Sequence, residues 1–330
     1  MHATPAPARA PLLSVENLSV QIRADGGLAR ILDDVTLAVP RGTTLGVVGE
    51  SGCGKSTLLR AILGILPRGA MVPKGAVIFD NTDILEDGAK SARGRIGFVP
   101  QDPYLSLNPV FRAGDQILEI MRRHAPGTRR DHKAKLIELF RAVQLPEPEA
   151  ALAKYPHQFS GGQRQRLLIA AALACDPALV VADEPTTALD VTTQQEILAL
   201  LRQLTAERGL SLLFVTHDFG VLAALCDQVV VLYAGRVAEA GPTRAVLDAP
   251  RHPYTRLLLA CHPDRAEDLV GIPGTVPAAT AQPEGCRFHP RCPLARPACH
   301  AAPPPVLPLA GGRGVACPYN AEELPEMVLA

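Results

Sequence analysis

The feature that most constrains this chain is a short apolar run, Thr44–Val48, feeding straight into Gly49-Glu50-Ser51-Gly52-Cys53-Gly54-Lys55-Ser56-Thr57. The spacing G-x-x-x-x-G-K-S demands a strand, a tight loop and a helix in that order. Glycines let successive backbone N–H groups close around phosphate oxygens, and the helix opening at Lys55 turns its positive end toward them. Lys55 supplies a point charge to β- and γ-phosphates, and Ser56 offers a hydroxyl to Mg²⁺. A Gly-rich turn before an ordinary helix looks similar in isolation. Here the strand before and the helical spacing of Lys55–Leu63 after it supply the context that the motif requires.

A second constraint is the apolar strand Leu179-Val180-Val181-Ala182 ending on Asp183-Glu184. Two adjacent carboxylates closing a buried strand are unfavourable without a cation. Asp183 is placed to reach Mg²⁺ through water, and Glu184 to orient and deprotonate an attacking water. Gln101 follows the strand candidate Ile96–Val99, and His217 follows Leu212–Val215. Both fall at C-terminal strand ends, where open α/β sheets bind ligands. Ser160-Gly161-Gly162-Gln163 opens a helix running through Leu173. Ser160 reads as its N-cap, and a glycine-rich helix start suits an anion.

The rest of the chain predicts the scaffold. Leu13–Ile22 and Ile31–Val39 pair across the turn Asp25-Gly26-Gly27, an antiparallel unit. Ala76–Phe79 is a further strand candidate. Residues 102–176 read as an inserted helical subdomain, with amphipathic repeats over Ile117–Arg123 and Lys133–Val143. After it the chain alternates: helix Thr193–Glu207, strand Ser211–Val215, helix Phe219–Cys226, strand Gln228–Tyr233, then Val237–Ala240. Such alternation predicts α/β architecture with a mostly parallel core sheet. Pro242–Leu259 reads as a last helical region. Residues 1–11 read as a disordered tail, 12–261 as the α/β unit, and 262–330 as a small irregular Cys-rich C-terminal domain. The chain has 330 residues, 47% of them apolar, enough for a sizeable core.

Composition excludes several functions. With 33 Lys and Arg against 33 Asp and Glu, the formal charge is zero, which argues against binding nucleic acid through its phosphates. Trp is absent and aromatics are few, so base-stacking platforms are not expected. The N-terminus has no secretory signal, and the longest apolar stretch, Leu167–Ala182, is broken by Asp176 and Pro177. A soluble, cytosolic chain is expected, with any membrane role supplied by a partner.

Of eight cysteines, Cys53, Cys175, Cys226 and Cys261 are scattered. Cys53 sits near a helix N-terminus, which favours a lowered thiol pKa, although a small residue tolerated in a variable slot is the simpler reading. Cys286, Cys292, Cys299 and Cys317 crowd together in the spacing C-x5-C-x6-C-x17-C. In a cytosolic protein such a group points to a metal before disulfides. Four thiolates suit an iron–sulfur cluster or zinc, but the tight C-x2-4-C knuckles of structural zinc are missing; free thiols are the remaining reading. His289 and His300 are possible substitute ligands. A metal would staple a Pro-rich segment that has little core of its own.

Taken together, Gly49 to Thr57, Gln101, Ser160 to Gln163, Asp183-Glu184, Thr187-Ala188-Leu189-Asp190 and His217 resemble the ATP-binding cassette ATPases, over about residues 12–245. The resemblance implies ATP and Mg²⁺ as ligands, with Ser56, Gln101 and Asp183 around the metal. It makes Glu184, His217 and Gln101 the catalytic group and Asp190 part of the D-loop. It also implies head-to-tail pairing, in which the Ser160–Gln163 signature of one cassette completes the site of another. Two departures are visible: Phe159 replaces the usual Leu, and Ile22 stands where many relatives stack an aromatic ring on adenine. A non-transport cassette ATPase of DNA repair or translation is the alternative, and the neutral charge and single short cassette speak against it.

Gln101-Asp102-Pro103, Ser106-Leu107-Asn108-Pro109, His252-Pro253-Tyr254-Thr255-Arg256-Leu257-Leu258 and Gly285–Pro293 narrow the resemblance to ATPases of bacterial dipeptide/oligopeptide importers, a branch shared with nickel and other small-solute importers. It implies two permease subunits, a second homologous ATPase or a second copy of this one, and an extracellular or periplasmic solute-binding protein. Nucleic acid is not among the partners. It also implies a place on the cytoplasmic face of the inner membrane, peripheral through the permease, which Tyr104 and Leu105 would grip. Some members hold a [4Fe–4S] cluster at the four C-terminal cysteines.

Overall fold

The computed structural model describes residues 10–24, 27–187, 189–261 and 271–319. Asp25, Gly26, Ala188, most of the expected N-terminal tail and the expected boundary near residue 262 lie outside them.

Two sheets form. In the smaller, Leu13–Ala24 pairs antiparallel with Gly27–Val39 on one side and Met71–Phe79 on the other, and Thr82–Asp83 adds the far edge. Leu13 and Val15 face inward, and after the register shift between Val15 and Leu18 so do Leu18 and Val20, in one cluster with Leu32, Val35, Val77 and Phe79. The strand ending at Phe79 starts earlier than its alternation suggests, because Pro73 and Gly75 interrupt the pattern without ending the pairing.

The larger sheet has eight strands, in the spatial order 307–309, 313–315, 236–242, 228–233, 44–48, 211–215, 179–183 and 96–99. The last five are parallel, in register from Gly46↔Val229 through Val47↔Val215 and Val181↔Leu213 to Phe98↔Val181. Thr44–Val48 and Ser211–Val215 are buried along their whole length, as parallel strands covered on both faces must be. Their alternate side chains serve two cores. Val47, Val181, Leu213, Val215 and Leu232 face the antiparallel sheet and the helix Lys55–Ile62. Val48, Val99, Ala182, Phe214 and Val231 face helices Gly161–Leu173, Val191–Arg208 and Phe219–Leu225.

The inserted helices are Ala113–His124 and Arg129–Ala142 with the short Pro148–Ala151. Thr128 and Asp131 form a capping box that starts the second helix sharply. Ile117, Met121, Leu136, Leu139 and Phe140 close the insert onto the second core. The helical region expected over Pro242–Leu259 is made of two helices, Thr243–Asp248 and Pro253–Ala260. Pro250 forces Ala249 out of helical geometry, and Pro253 starts a new helix at its first position.

The cysteine-rich segment is tied into the scaffold. Arg313–Val315 pairs with Arg236–Pro242 through Glu239↔Val315 and Ala240↔Gly314, and Leu307–Leu309 adds the edge. Phe288 is buried in the second core beside Tyr233 and Tyr254. Among the described residues no helix is long and apolar enough to cross a membrane.

Candidate nucleotide site

The C-terminal ends of strands 44–48, 96–99, 179–183 and 211–215 face one edge, and the predicted residues gather there. Gly49 leaves its strand at φ 159°, and a Cβ would stand 2.2 Å from the carbonyl oxygen of Leu232, so the loop passes too close for any side chain. Gly54, at φ 107°, is the N-cap of helix Lys55–Ile62, a left-handed position that favours glycine. Cys53 is buried beneath the loop, and burial pushes its thiol pKa up despite the nearby Lys55; the expectation of a lowered pKa is corrected. Lys55 Nζ donates to the carbonyls of Gly49 at 2.7 Å and Glu50 at 3.2 Å, while Ser56 is exposed at the loop's rim.

Opposite the loop, Asp183 ends its strand half-buried. Burial raises its pKa, the charge of Glu184 raises it further, and Lys55 and Arg60 offset part of the rise. This pair of oxygen donors beside one lysine suits a hard divalent cation. Glu184 has φ 42°, and its N–H donates to Val215 O at 2.9 Å, so the chain turns sharply as the strand ends. Its Oε2 accepts from Gln101 Nε2 at 3.4 Å and Thr187 Oγ1 at 3.2 Å, and lies 3.3 Å from His217 Nδ1. Gln101, Glu184 and His217, far apart in the chain, therefore meet at one carboxylate oxygen. Thr187, which the sequence places in the D-loop stretch rather than in the catalytic group, joins them.

Ser160 caps helix Gly161–Leu173 in a reciprocal box with Gln163, Oγ accepting from Gln163 N–H at 3.3 Å and Gln163 Oε1 accepting from Ser160 N–H at 3.1 Å. Asp190 caps the next long helix through Thr193. Ser160, Gly161, Gly162 and Gln163 line an open groove with Tyr104, Leu189 and Asp190, and no phosphate-loop residue lines it. The structure thus separates the two anion-binding helix starts that the sequence predicts. Ile22 is half-buried in strand Leu13–Ala24, opposite Ala29.

Two contacts to the phosphate loop come from outside every nucleotide motif. Tyr254 Oη accepts from Glu50 N–H at 2.9 Å, and the Arg291 guanidinium grips the Glu50 carboxylate. Both residues lie in stretches that marked the importer branch, but nothing local in them signals the loop.

Cys286, Cys292, Cys299 and Cys317 line one small cavity with His252, Phe288, Leu294 and Tyr319. Gly285 lets this turn close: a Cβ there would stand 2.2 Å from Cys299 O, and Cys286 N–H donates to that same carbonyl at 2.8 Å. Burial pushes the Cys292 thiol up to about 11, with the neighbouring cysteines adding to the rise, and raises Cys286 and Cys317 as well. Among the described residues no three Cys, His, Asp or Glu side chains converge as the donors of a single metal ion. A zinc ion would need sulfurs about 2.3 Å from one centre, so the zinc alternative does not match this arrangement. The His289 and His300 rings lie 4.1 Å apart between centres and tilted by 49°, and neither lines the cavity.

The fold and site define a nucleotide-binding cassette, and comparison with known proteins agrees. The family model described as ABC transporter matches residues 32–187, and that of the oligopeptide/dipeptide transporter C-terminal region matches residues 238–299. The dipeptide transport ATP-binding protein DppD of Escherichia coli K12 is 40% identical over 319 residues, covering 94% of this chain and 98% of DppD. Among solved structures, cbiO1 of Clostridium perfringens, part of the ABC transporter complex cbiONQ, matches with TM-score 0.63 and 28% identity over 73% of this chain and 92% of its own. A dimeric ATP-binding cassette in a post-hydrolysis state with ADP and Pi matches with TM-score 0.61 and 30% identity, over 70% of this chain and 99% of its own. The chain belongs to the ABC transporter ATP-binding proteins. It is an ATPase, and its C-terminal region is of the oligopeptide/dipeptide transporter type.

Proposed function

We propose that this chain is the ATP-hydrolysing subunit of a bacterial importer of dipeptides or oligopeptides. The observation that carries the chemistry is the meeting of Gln101, Glu184 and His217 at one carboxylate oxygen beside the phosphate loop. The loop amides from Gly49 to Thr57 cradle the phosphates, and Lys55 exchanges its carbonyl partners for them. Ser56, Asp183 and Gln101 are the residues that would hold Mg²⁺, which would supply charge neutralisation to the phosphates. Glu184 orients a water and takes its proton as the water oxygen attacks the γ-phosphorus; the bond to the bridging oxygen breaks, leaving ADP and phosphate. His217 and Thr187 hold the Glu184 carboxylate in place.

The exposed groove at Ser160–Gln163 and Asp190 is the surface that a second cassette's ATP would meet, so the working unit is a pair: two copies, or this chain with a homologue. Tyr104 and Leu105 are 53% and 85% exposed beside that groove, an apolar grip for a permease. Two permease subunits, an extracellular or periplasmic solute-binding protein and a place on the cytoplasmic face of the inner membrane complete the reading. The cavity lined by Cys286, Cys292, Cys299 and Cys317 offers four thiols, the donor set that a [4Fe–4S] cluster would need.

Uptake of a labelled dipeptide by a strain lacking this gene tests the proposal. Uptake should return with the wild-type gene and stay absent with Glu184→Gln. Uptake that never depended on the gene, with loss of nickel uptake instead, would move the assignment to a small-solute importer. Protein purified without oxygen should carry about four irons and four sulfides per chain; colourless, iron-free protein would remove the cluster and leave the ATPase standing.

A further inference from the structure

Arg291 lies in the short turn His289–Arg291, immediately before Cys292, yet its side chain ends in the phosphate loop. Only 3% of that side chain is exposed. Nη1 donates to Glu50 Oε2 at 2.8 Å and Nη2 to Glu50 Oε1 at 3.1 Å, a two-pronged fork on one carboxylate. Nε donates to Pro273 O at 2.9 Å, Nη2 also to Ile272 O at 3.0 Å, and Nη1 also to Tyr233 Oη at 3.2 Å. A guanidinium has five N–H donors, so this one is fully engaged. The same Glu50 is held from its backbone side by Tyr254, and its carbonyl accepts from Lys55 Nζ. Tyr254 is itself packed against Tyr233 and Phe288, ring centres 4.5 and 5.4 Å apart.

Glu50 is an awkward residue for an anion-binding loop. Its carboxylate repels the triphosphate that the loop must hold, unless a fixed cation neutralises it. Arg291 supplies that cation in a geometry that also restrains the loop backbone at Glu50. The restraint comes from a segment with no nucleotide motif, 241 residues away in sequence.

We propose that Arg291 is a positioning residue for the ATP site: it neutralises and orients Glu50, so that the cysteine-bearing segment sets the shape and charge of the phosphate loop. The proposal rests on the ATPase reading and deepens it. ATP meets a loop already held open by the Arg291–Glu50 fork, and loosening of that segment is felt as weaker nucleotide binding.

The test uses the full chain and a fluorescent ATP analogue, at a temperature where circular dichroism shows each variant folded. Arg291→Gln should raise the analogue's Kd by about tenfold and raise KM for ATP more than it lowers kcat, because ground-state and transition-state binding are lost together. Arg291→Lys, which keeps the charge and loses the fork, should recover part of the affinity. The double variant Arg291→Gln with Glu50→Gln should bind within about threefold of the wild type, since no unpaired carboxylate remains. Wild-type Kd for Arg291→Gln, or a double variant as weak as the single, would overturn the proposal and leave Arg291 a mere staple. If Arg291→Gln does not fold, Glu50→Gln alone keeps the three anchors of Arg291 other than the carboxylate, Pro273 O, Ile272 O and Tyr233 Oη. Its amides at Glu50 and Cys53 should then exchange hydrogen faster, and unchanged protection would overturn the proposal. A wild type that hydrolyses no ATP would instead sink the ATPase reading, a separate outcome from any Kd comparison.

Discussion

Glu239 gives the sharpest test of how the C-terminal segment is held. It sits on strand Arg236–Pro242 with no exposed surface, and its carboxylate accepts from Arg251 N–H at 2.9 Å, His252 N–H at 2.9 Å and Arg313 Nη2 at 2.6 Å. Arg313 opens the strand that joins the segment to the sheet, and its side chain is 9% exposed. Glu239→Ala leaves that guanidinium without a counter-charge, which costs about 3–5 kcal/mol in buried pairs. Two backbone N–H groups lose their acceptor, each worth roughly 1 kcal/mol at the low end. Arg313 keeps the carbonyl of Ala249, which offsets part of this. A net loss of about 5 kcal/mol follows, a large share of the 5–15 kcal/mol that holds a typical domain. Glu239→Gln keeps an acceptor for the amides and loses only the charge, so a loss smaller by about 2 kcal/mol is expected. Urea denaturation checks both: the midpoint should fall by more than about 1 M for Ala and visibly less for Gln, at unchanged slope. A midpoint shift under about 0.2 M for Glu239→Ala would refute the reasoning, and equal shifts for the two variants would refute its division between charge and acceptor.

Glu184→Gln should bind ATP, lose hydrolysis by at least about 100-fold and trap a closed pair on gel filtration with ATP; turnover near wild type would remove Glu184 from its role. His252 is buried and its pKa is held down to about 4 by that burial. The unfolded chain therefore takes up a proton that the native one refuses, so stability should rise with pH between about 4 and 6.5, and up to about 3 kcal/mol is lost as pH falls across that window. His252→Asn, which keeps an acceptor for Tyr254 N–H, should flatten the slope, and an unchanged slope would place the titration elsewhere. Ile22→Tyr should tighten ATP binding by roughly tenfold through stacking on the base; an unchanged Kd would place the base away from residue 22.

Much of this site was legible along the chain because its parts fold locally. A phosphate loop, a capping box at Ser160–Gln163 and an acidic strand end are each written in a few consecutive residues, since backbone geometry over a short span dictates which side chains serve. Alternation of short apolar runs with helical spacing likewise specified a mostly parallel sheet. Pro250 and Pro253 divide the helical region over Pro242–Leu259 into two helices, and the strand Leu307–Leu309 forms despite Pro308, because an edge strand tolerates a missing donor.

By itself, then, the amino-acid sequence determined the cassette, its phosphate loop and the residues offered for hydrolysis, since each depends on neighbours in the chain. Only the tertiary structure decided that Gln101, Thr187 and His217 share one oxygen of Glu184, that four cysteines line one cavity, and that Arg291 reaches Glu50. Those are meetings of side chains distant in sequence. No local pattern encodes them, because the sheet order and the packing of the last segment set which groups come within a hydrogen bond of each other.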